Sequence, residues 1–163
     1  MRRQPPVDYI QRTREQYDGL GYPSYQWVYN PDPPPFRTLD KPLSDCKLAL
    51  IASGGIYVSG QIAFHFKDDL SYRQIDINTP TDDLRATHFA YDLTDARADP
   101  NVVFPIDTLK QCVRQGLIGE LSNPAYAFMG GIYSSRKVRE IVAPALTKAL
   151  QKDEVDVALL VPV

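Results

Sequence analysis

Cysteine is scarce. The 163-residue chain has two, Cys46 and Cys112, far apart and in no C-x-x-C pair. Two cysteines make neither a disulfide framework nor, on their own, a four-ligand zinc site. Cys112 stands beside Leu109 and Val113 in a helical pattern and reads as a small core residue; Cys46, at the start of a strand, reads the same way. Histidine is as rare: His65 and His88 are not paired at helical metal spacing, so no metal site is expected. No run approaches the ~18 apolar residues that a membrane span needs. The first residues, MRRQPPVDYIQRTREQ, are charged and lack the apolar stretch of a secretory signal. A formal charge of -2 gives no electrostatic ground for nucleic acid or an anionic membrane as partner. The expectation is a cytoplasmic protein that binds neither.

What is present suits a globular domain: 44% hydrophobic and 23% charged residues, with length enough for one core. A short helix is expected over 7–20, with Ile10, Tyr17 and Leu20 inward. The stretch GLGYPSYQWVYNPDPPPFRTLDKPL follows. Its prolines remove donors and fix φ, which blocks regular structure. Its aromatics, Tyr22, Tyr25, Trp27, Tyr29 and Phe36, argue against a disordered linker. An extended arm is expected, so that residues 1–45 form a helix and arm ahead of an α/β domain over 46–163.

Regular structure then begins. Lys47 to Ala52 is an apolar strand, and Ser53-Gly54-Gly55 a tight turn after it. SYRQIDI and AYAFMG are further strands. PIDTLKQCVRQG is a helix with Ile106, Leu109, Val113 and Leu117 on one face and Gly116 as C-cap. SSRKVREIVAPALTKALQKD is another, capped by Ser134 or Ser135. Its inward stripe is Val138, Ile141, Val142, Ala145, Leu146, Ala149 and Leu150, and Pro144 should kink or split it. Val155 to Val163 reads as a strand apolar on both faces, of the kind found mid-sheet. Strands alternating with helices indicate an α/β fold: an open, largely parallel sheet with flanking helices, preceded by the Pro/aromatic-rich arm.

Three places invite chemistry. Ser53-Gly54-Gly55 either presents backbone N–H groups to an anion or carbonyl oxygen, or is a plain turn. RATHFAYDLTDARADPNVVFP gathers His88, Tyr91, Asp92, Asp95 and Asp99 in one long irregular connection. Structureless loops beyond about 12 residues are uncommon and often functional. His88 suits proton transfer near neutral pH, and Asp92 either orients it or caps a turn; the alternative for the set is that these groups bond the loop's own backbone. His65 follows an apolar stretch and precedes charges, with no histidine paired to it for a metal; Asp82 with Asp83 points to a turn cap rather than catalysis. No G-x-S-x-G elbow supplies a nucleophile.

Taken together, KPLSDCKLALIASGGIY, SYRQID, THFAYD, DPNVVFPIDTLKQCVRQGLIGEL and AYAFMGGIY resemble the selenoprotein B subunits of glycine, sarcosine and betaine reductases, with the related D-proline reductase subunit. The resemblance runs from about Asp8 to the end. It rests most on H-x-x-Y-D (His88, Tyr91, Asp92), N-x-V-F-P (Asn101 to Pro105), G-x-I-G and F-M-G. It implies a selenocysteine, or a cysteine in its place, that attacks the substrate α-carbon and cleaves a C–N bond reductively. Electrons come from a thioredoxin-type dithiol, and other reductase-complex subunits take part, one carrying a pyruvoyl group. It implies an amino-acid-like substrate, without separating glycine, sarcosine, betaine and proline. The loop's polarity and its expected position at the carboxyl edge of the sheet then put His88, Tyr91 and Asp92 near the reaction centre as proton donor and orienting groups, with Ser53, Gly54 and Gly55 on a substrate carboxylate or carbonyl.

The family's reactive residue stands in a Cys- or selenocysteine-x-x-Cys motif directly after a strand like VDVALLVPV, so selenocysteine or cysteine is expected directly after Val163. No cofactor is expected in the chain itself, which alone should be inactive. The expectation is a reading frame cut at an in-frame UGA, or a fragment, ahead of a natural short protein that kept the scaffold and lost the nucleophile. The rival is a non-catalytic scaffold or binding subunit; a racemase or lyase would need a thiol pair the chain lacks. Sequencing past the Val163 codon tests this: TGA with an in-frame continuation encoding x-x-Cys is the expected result, and TAA with no downstream homology overturns it.

Overall fold

The computed structural model describes residues 8–24 and 29–163. It divides into two compact units, Met1–Phe36 and Arg37–Val163. In the first, helix α1 (Tyr9–Gly19) starts where the Asp8 carboxylate accepts the Gln11 N–H at 2.9 Å. Expected inward, Ile10, Tyr17 and Leu20 are instead 41%, 36% and 64% exposed. YIQRTREQYDG has one aliphatic residue, too little to bury a face. Of the arm's aromatics, Tyr22, Tyr29 and Phe36 are exposed; Tyr25 and Trp27, like the expected helix start at Val7, lie outside the described residues.

The second unit is built on strand β1 (Lys47–Ala52), buried from Leu48 onward. Along one edge it pairs in parallel with β7 (Val157–Val161), Leu48 opposite Val157 through Ala52 opposite Val161. Along the other it pairs in parallel with β5 (Glu120–Leu121) at its start and β6 (Ala125–Phe128) at its end. Strand β3 (Tyr72–Ile75) adds antiparallel to β6. A separate antiparallel ribbon joins β2 (Ile56–Val58) to β4 (Leu84–Ala86). The fold is therefore α/β with a mostly parallel sheet.

Alternation along β1 divides the core. Leu48, Leu50 and Ala52 share one cluster with Phe104 and with Ile106 and Leu109 of helix α3 (Ile106–Arg114). Ile51 faces the other way, with Tyr126, Val142 and Leu146, the last on helix α5 (Ala143–Lys152). Burying a leucine or isoleucine contributes roughly 1.5–3 kcal/mol, so helices on both faces make β1 the anchor of the unit.

Several details depart from the expectations. Val157–Val161 is a parallel strand, as read, but it sits at the edge and not mid-sheet: Leu160 is 67% exposed. The segment read as one helix starts with α4 (Ser135–Lys137), capped by the Ser134 hydroxyl, passes through a π-turn at Val138–Val142, and continues as α5. Pro144 has no N–H and crowds the carbonyl four residues back, which widens that turn. The widened turn carries Ile141 out to 49% exposure. After α3, Leu117 is 57% exposed and Ile118 is buried in its place. The polar loop is not structureless: it holds helix α2 (Thr94–Ala98) and a 3-10 turn at Pro100–Val102, entered by Asp99. Cys46 is fully buried, its thiol 3.3 Å from the Pro42 carbonyl, and Cys112 is half-buried on α3. Among the described residues no helix is long and apolar enough to cross a membrane.

The buried Tyr126 hydroxyl donates to the Asp153 carboxylate, tying β6 to the end of α5. Burial, and then that bond, raises its pKa, so it stays a donor. Tyr126→Phe is expected to cost about 1–2 kcal/mol, read as a lower urea midpoint at unchanged m-value; an unchanged midpoint would refute the tie.

Candidate active site

The parallel strands β1, β6 and β7 end on one side of the sheet, where ligands of open α/β sheets gather. Ser53-Gly54-Gly55 leaves β1 and Met129-Gly130-Gly131 leaves β6. The two turns pair: Gly55 N–H donates to the Phe128 carbonyl and Gly130 N–H to the Ser53 carbonyl, each at 2.9 Å. Thr87, just past β4, donates its N–H to the Gly55 carbonyl at 3.0 Å. Gly55 has φ +71°, and a Cβ there would lie 2.0 Å from the Thr87 oxygen. Glycine is thus required for the Thr87 backbone to come so close to the turn between β1 and β2.

These bonds redistribute the expected anion-binding groups. Ser53 spends its N–H on the Val161 carbonyl at 3.0 Å, and its hydroxyl accepts the Val163 N–H at 2.9 Å. Ser53 is therefore a clamp on the end of β7, and Gly55 is committed to β6. Gly54 N–H has no acceptor among the described residues, while the Gly54 carbonyl accepts the Tyr91 hydroxyl at 2.8 Å. Of the three N–H groups read as one cradle, this one is open.

His88 follows Thr87 and is 8% exposed. Its Nδ1 accepts the Ala90 N–H at 3.0 Å, which assigns the neutral ring's proton to Nε2. Nε2 is buried and has no hydrogen-bond partner among the described residues. Burial lowers the His88 pKa, so the ring is a neutral N–H donor at pH 7. The Tyr91 ring lies 4.9 Å from it. Burial raises the Tyr91 pKa, and its proton is held on Gly54.

The structure thus brings together His88, Tyr91, Ser53, Gly54 and Gly55. Asp92 is not among them. It is exposed, and one of its carboxylate oxygens accepts both the Thr94 N–H, at 2.9 Å, and the Thr94 hydroxyl, at 2.7 Å. Those bonds lower its pKa. The part expected of Asp92, orienting His88, is taken by the Ala90 N–H. Asp95 lies on α2, and Asp99 accepts the Asn101 N–H at 3.0 Å, so these acids shape the loop. His65 is exposed and bonded to the Lys67 backbone, and Asp82 and Asp83 form a 3-10 turn before β4.

Phe89 and Gly131 are residues the sequence reading missed. Phe89 stacks on His88 with ring centres 5.7 Å apart and on Tyr133 at 6.1 Å. A Cβ on Gly131 would meet the Phe89 ring at 2.1 Å. The bare backbone of Gly131 lets Phe89 lie down and hold the imidazole. The available signal was the second glycine pair, Gly130-Gly131, mirroring Gly54-Gly55 after the neighbouring strand.

The sequence profile of the family described as glycine/sarcosine/betaine reductase selenoprotein B matches residues 32–162. Over 135 residues the chain is 32% identical to the D-proline reductase subunit gamma of Acetoanaerobium sticklandii, covering 82% of this chain and 56% of that one. It is 33% identical over 144 residues to the glycine reductase complex component B subunit gamma of Symbiobacterium thermophilum, covering 85% and 32%. It is 33% identical over 88 residues to the sarcosine reductase complex component B subunit beta of Peptoclostridium acidaminophilum, covering 51% and 20%. The chain thus spans about half the length of the first relative, or less. No solved structure matches it.

Because folding keeps His88 neutral, the unfolded chain, titrating near the ordinary value of 6.5, takes up this proton first as pH falls. The stability this group contributes is complete above the unfolded pKa and is lost as pH falls through the folded one. Urea midpoints taken from about pH 8 to pH 5 should decline, and His88→Gln should flatten part of that decline. Equal slopes in the two proteins would contradict the burial argument.

Proposed function

Because the chain belongs to the glycine/sarcosine/betaine reductase selenoprotein B family, we propose that it is the scaffold and substrate-holding part of a selenol- or thiol-dependent reductase. Its relatives carry the names of reductase subunits. The reaction is the reductive cleavage of a C–N bond in an amino acid or betaine-type substrate, with electrons from a thioredoxin-type dithiol. Such donors are kept reduced in the cytoplasm, which is the location proposed. Other subunits of the reductase complex are the partners.

The observation that carries this reading is the buried, unpartnered Nε2 of His88, on a ring packed against the tyrosine that holds Gly54. An unsatisfied buried donor costs about 1–3 kcal/mol, and a bound carboxylate or carbonyl oxygen relieves that cost. His88 Nε2–H and Gly54 N–H are two donors for such an oxygen. Tyr91 fixes the Gly54 carbonyl, and the peptide that carries the Gly54 N–H is fixed through its Ser53 carbonyl, which accepts the Gly130 N–H. Ser53 fixes the end of β7 through Val163 N–H.

Neither cysteine stands at this edge: Cys46 precedes β1, at its amino end, and Cys112 is on α3. The attacking atom is therefore proposed to belong to a selenocysteine or cysteine other than these two. Its ionised form bonds to the substrate α-carbon and the amine departs with the C–N electron pair.

A second reading rests on β7. Beyond its pairing with β1 it meets no other strand among the described residues, and Leu160 is exposed on it. A partner covering that strand would make the chain a non-catalytic scaffold or binding subunit.

One experiment separates the two. In the assembled reductase, His88→Ala is expected to lower dithiol-dependent turnover by about 10²-fold or more, the usual loss for one preorganised donor. Unchanged turnover, with assembly weakened by Leu160→Asp, would replace the first reading with the second.

A further inference from the structure

We infer that the solvent side of the β2–β4 ribbon carries a binding site for a small oxyanion of carboxylate or phosphate chemistry, separate from the His88 site. A cavity of about 430 Å³ opens there, lined by Tyr57, Leu84, Arg85, Ala86, Thr87 and Arg97. That volume lies within the range of small-molecule sites. Two arginines, a tyrosine and a threonine share its lining, and none of the lining residues is acidic.

The strand pattern explains the grouping. Leu84, Ala86 and His88 are buried while Arg85 is exposed and Thr87 half-buried, so the ribbon turns one set of side chains inward and the other outward. Tyr57 stands opposite Arg85 across the ribbon, and the Tyr57 and Thr87 hydroxyls lie 3.4 Å apart. Each donor is held. The Tyr57 ring packs edge-on against Phe64 at 6.2 Å. Arg85 Nη1 donates to the carbonyls of Asp82 and Leu84, each at 2.7 Å, which fixes the guanidinium and leaves its Nε and Nη2 donors. Arg97 comes from α2. The nearby Asp92 is bonded to Thr94 and does not line the cavity.

Two arginines on one cavity offer guanidinium forks whose geometry suits a planar oxyanion. The hydroxyls of Tyr57 and Thr87 add donors to the oxygens that the arginines leave free.

The site is tested on the full chain by two-dimensional NMR titration with inorganic phosphate and with succinate, at ionic strength held constant with sodium chloride. Saturable shifts confined to Tyr57, Arg85, Thr87 and Arg97 are expected. Arg97→Gln, a residue without a backbone-anchoring bond, should weaken binding at least 10-fold, and Arg97→Lys less. Tighter binding of succinate assigns a carboxylate ligand, and tighter binding of phosphate a phosphate. Shifts that sodium chloride alone reproduces, or an affinity unchanged by both Arg97→Gln and Arg85→Gln, overturn the site. Reductase activity is not the readout, so the outcome is independent of the role given to His88.

Discussion

Everything in the second unit depends on β1 being paired along both edges and covered on both faces. Its six residues set the register of β5, β6 and β7 and divide the core in two. Its carboxyl end then supplies the turn on which the candidate site is assembled. Gly55 admits the Thr87 backbone, Gly54 receives Tyr91, and Ser53 holds Val163. The chemistry is arranged around a backbone turn, and the polar side chains follow it.

The electrostatics of the site are those of donors. His88 is buried, accepts the Ala90 N–H on Nδ1, and has no carboxylate partner. Tyr91 is protonated and committed to a carbonyl. Such a set suits holding oxygen on a bound molecule better than removing a proton from one. The acids of the same loop face outward and shape its turns, so they leave the low-dielectric edge free of negative charge. That separation explains how one stretch rich in Asp, His and Tyr serves both purposes.

Much of the fold was legible in the chain. KLALIA, bounded by Cys46 and Ser53-Gly54-Gly55, has the length and apolarity of a buried strand. IDTLKQCVR carries a clear helical face, and Ser134 with Pro144 marked where the last helical segment starts and is disturbed. The position of β7 was not legible. VALLV is as apolar as a central strand, and which strands flank it depends on crossovers that local pattern does not encode. For Asp92 two readings stood open, orienting His88 or capping a turn, and the structure shows the second. Four residues from His88 in sequence, it bonds to Thr94, because a local Asx contact costs little chain entropy.

The sequence by itself determined the alternation of strands and helices, the glycine turns at their ends, and the set of residues from which a site had to be drawn. Apolar periodicity and the restricted φ of glycine and proline are local, and they act wherever the residues stand. Tertiary structure alone decided that the Ser53 hydroxyl serves β7, that the Gly54 N–H is left unpaired among the described residues, that Phe89 lies on Gly131 beside His88, and that Arg85 and Arg97 line one cavity. Each joins segments brought side by side by packing on β1, and hydrogen-bond partners across such distances exist only once that packing has formed.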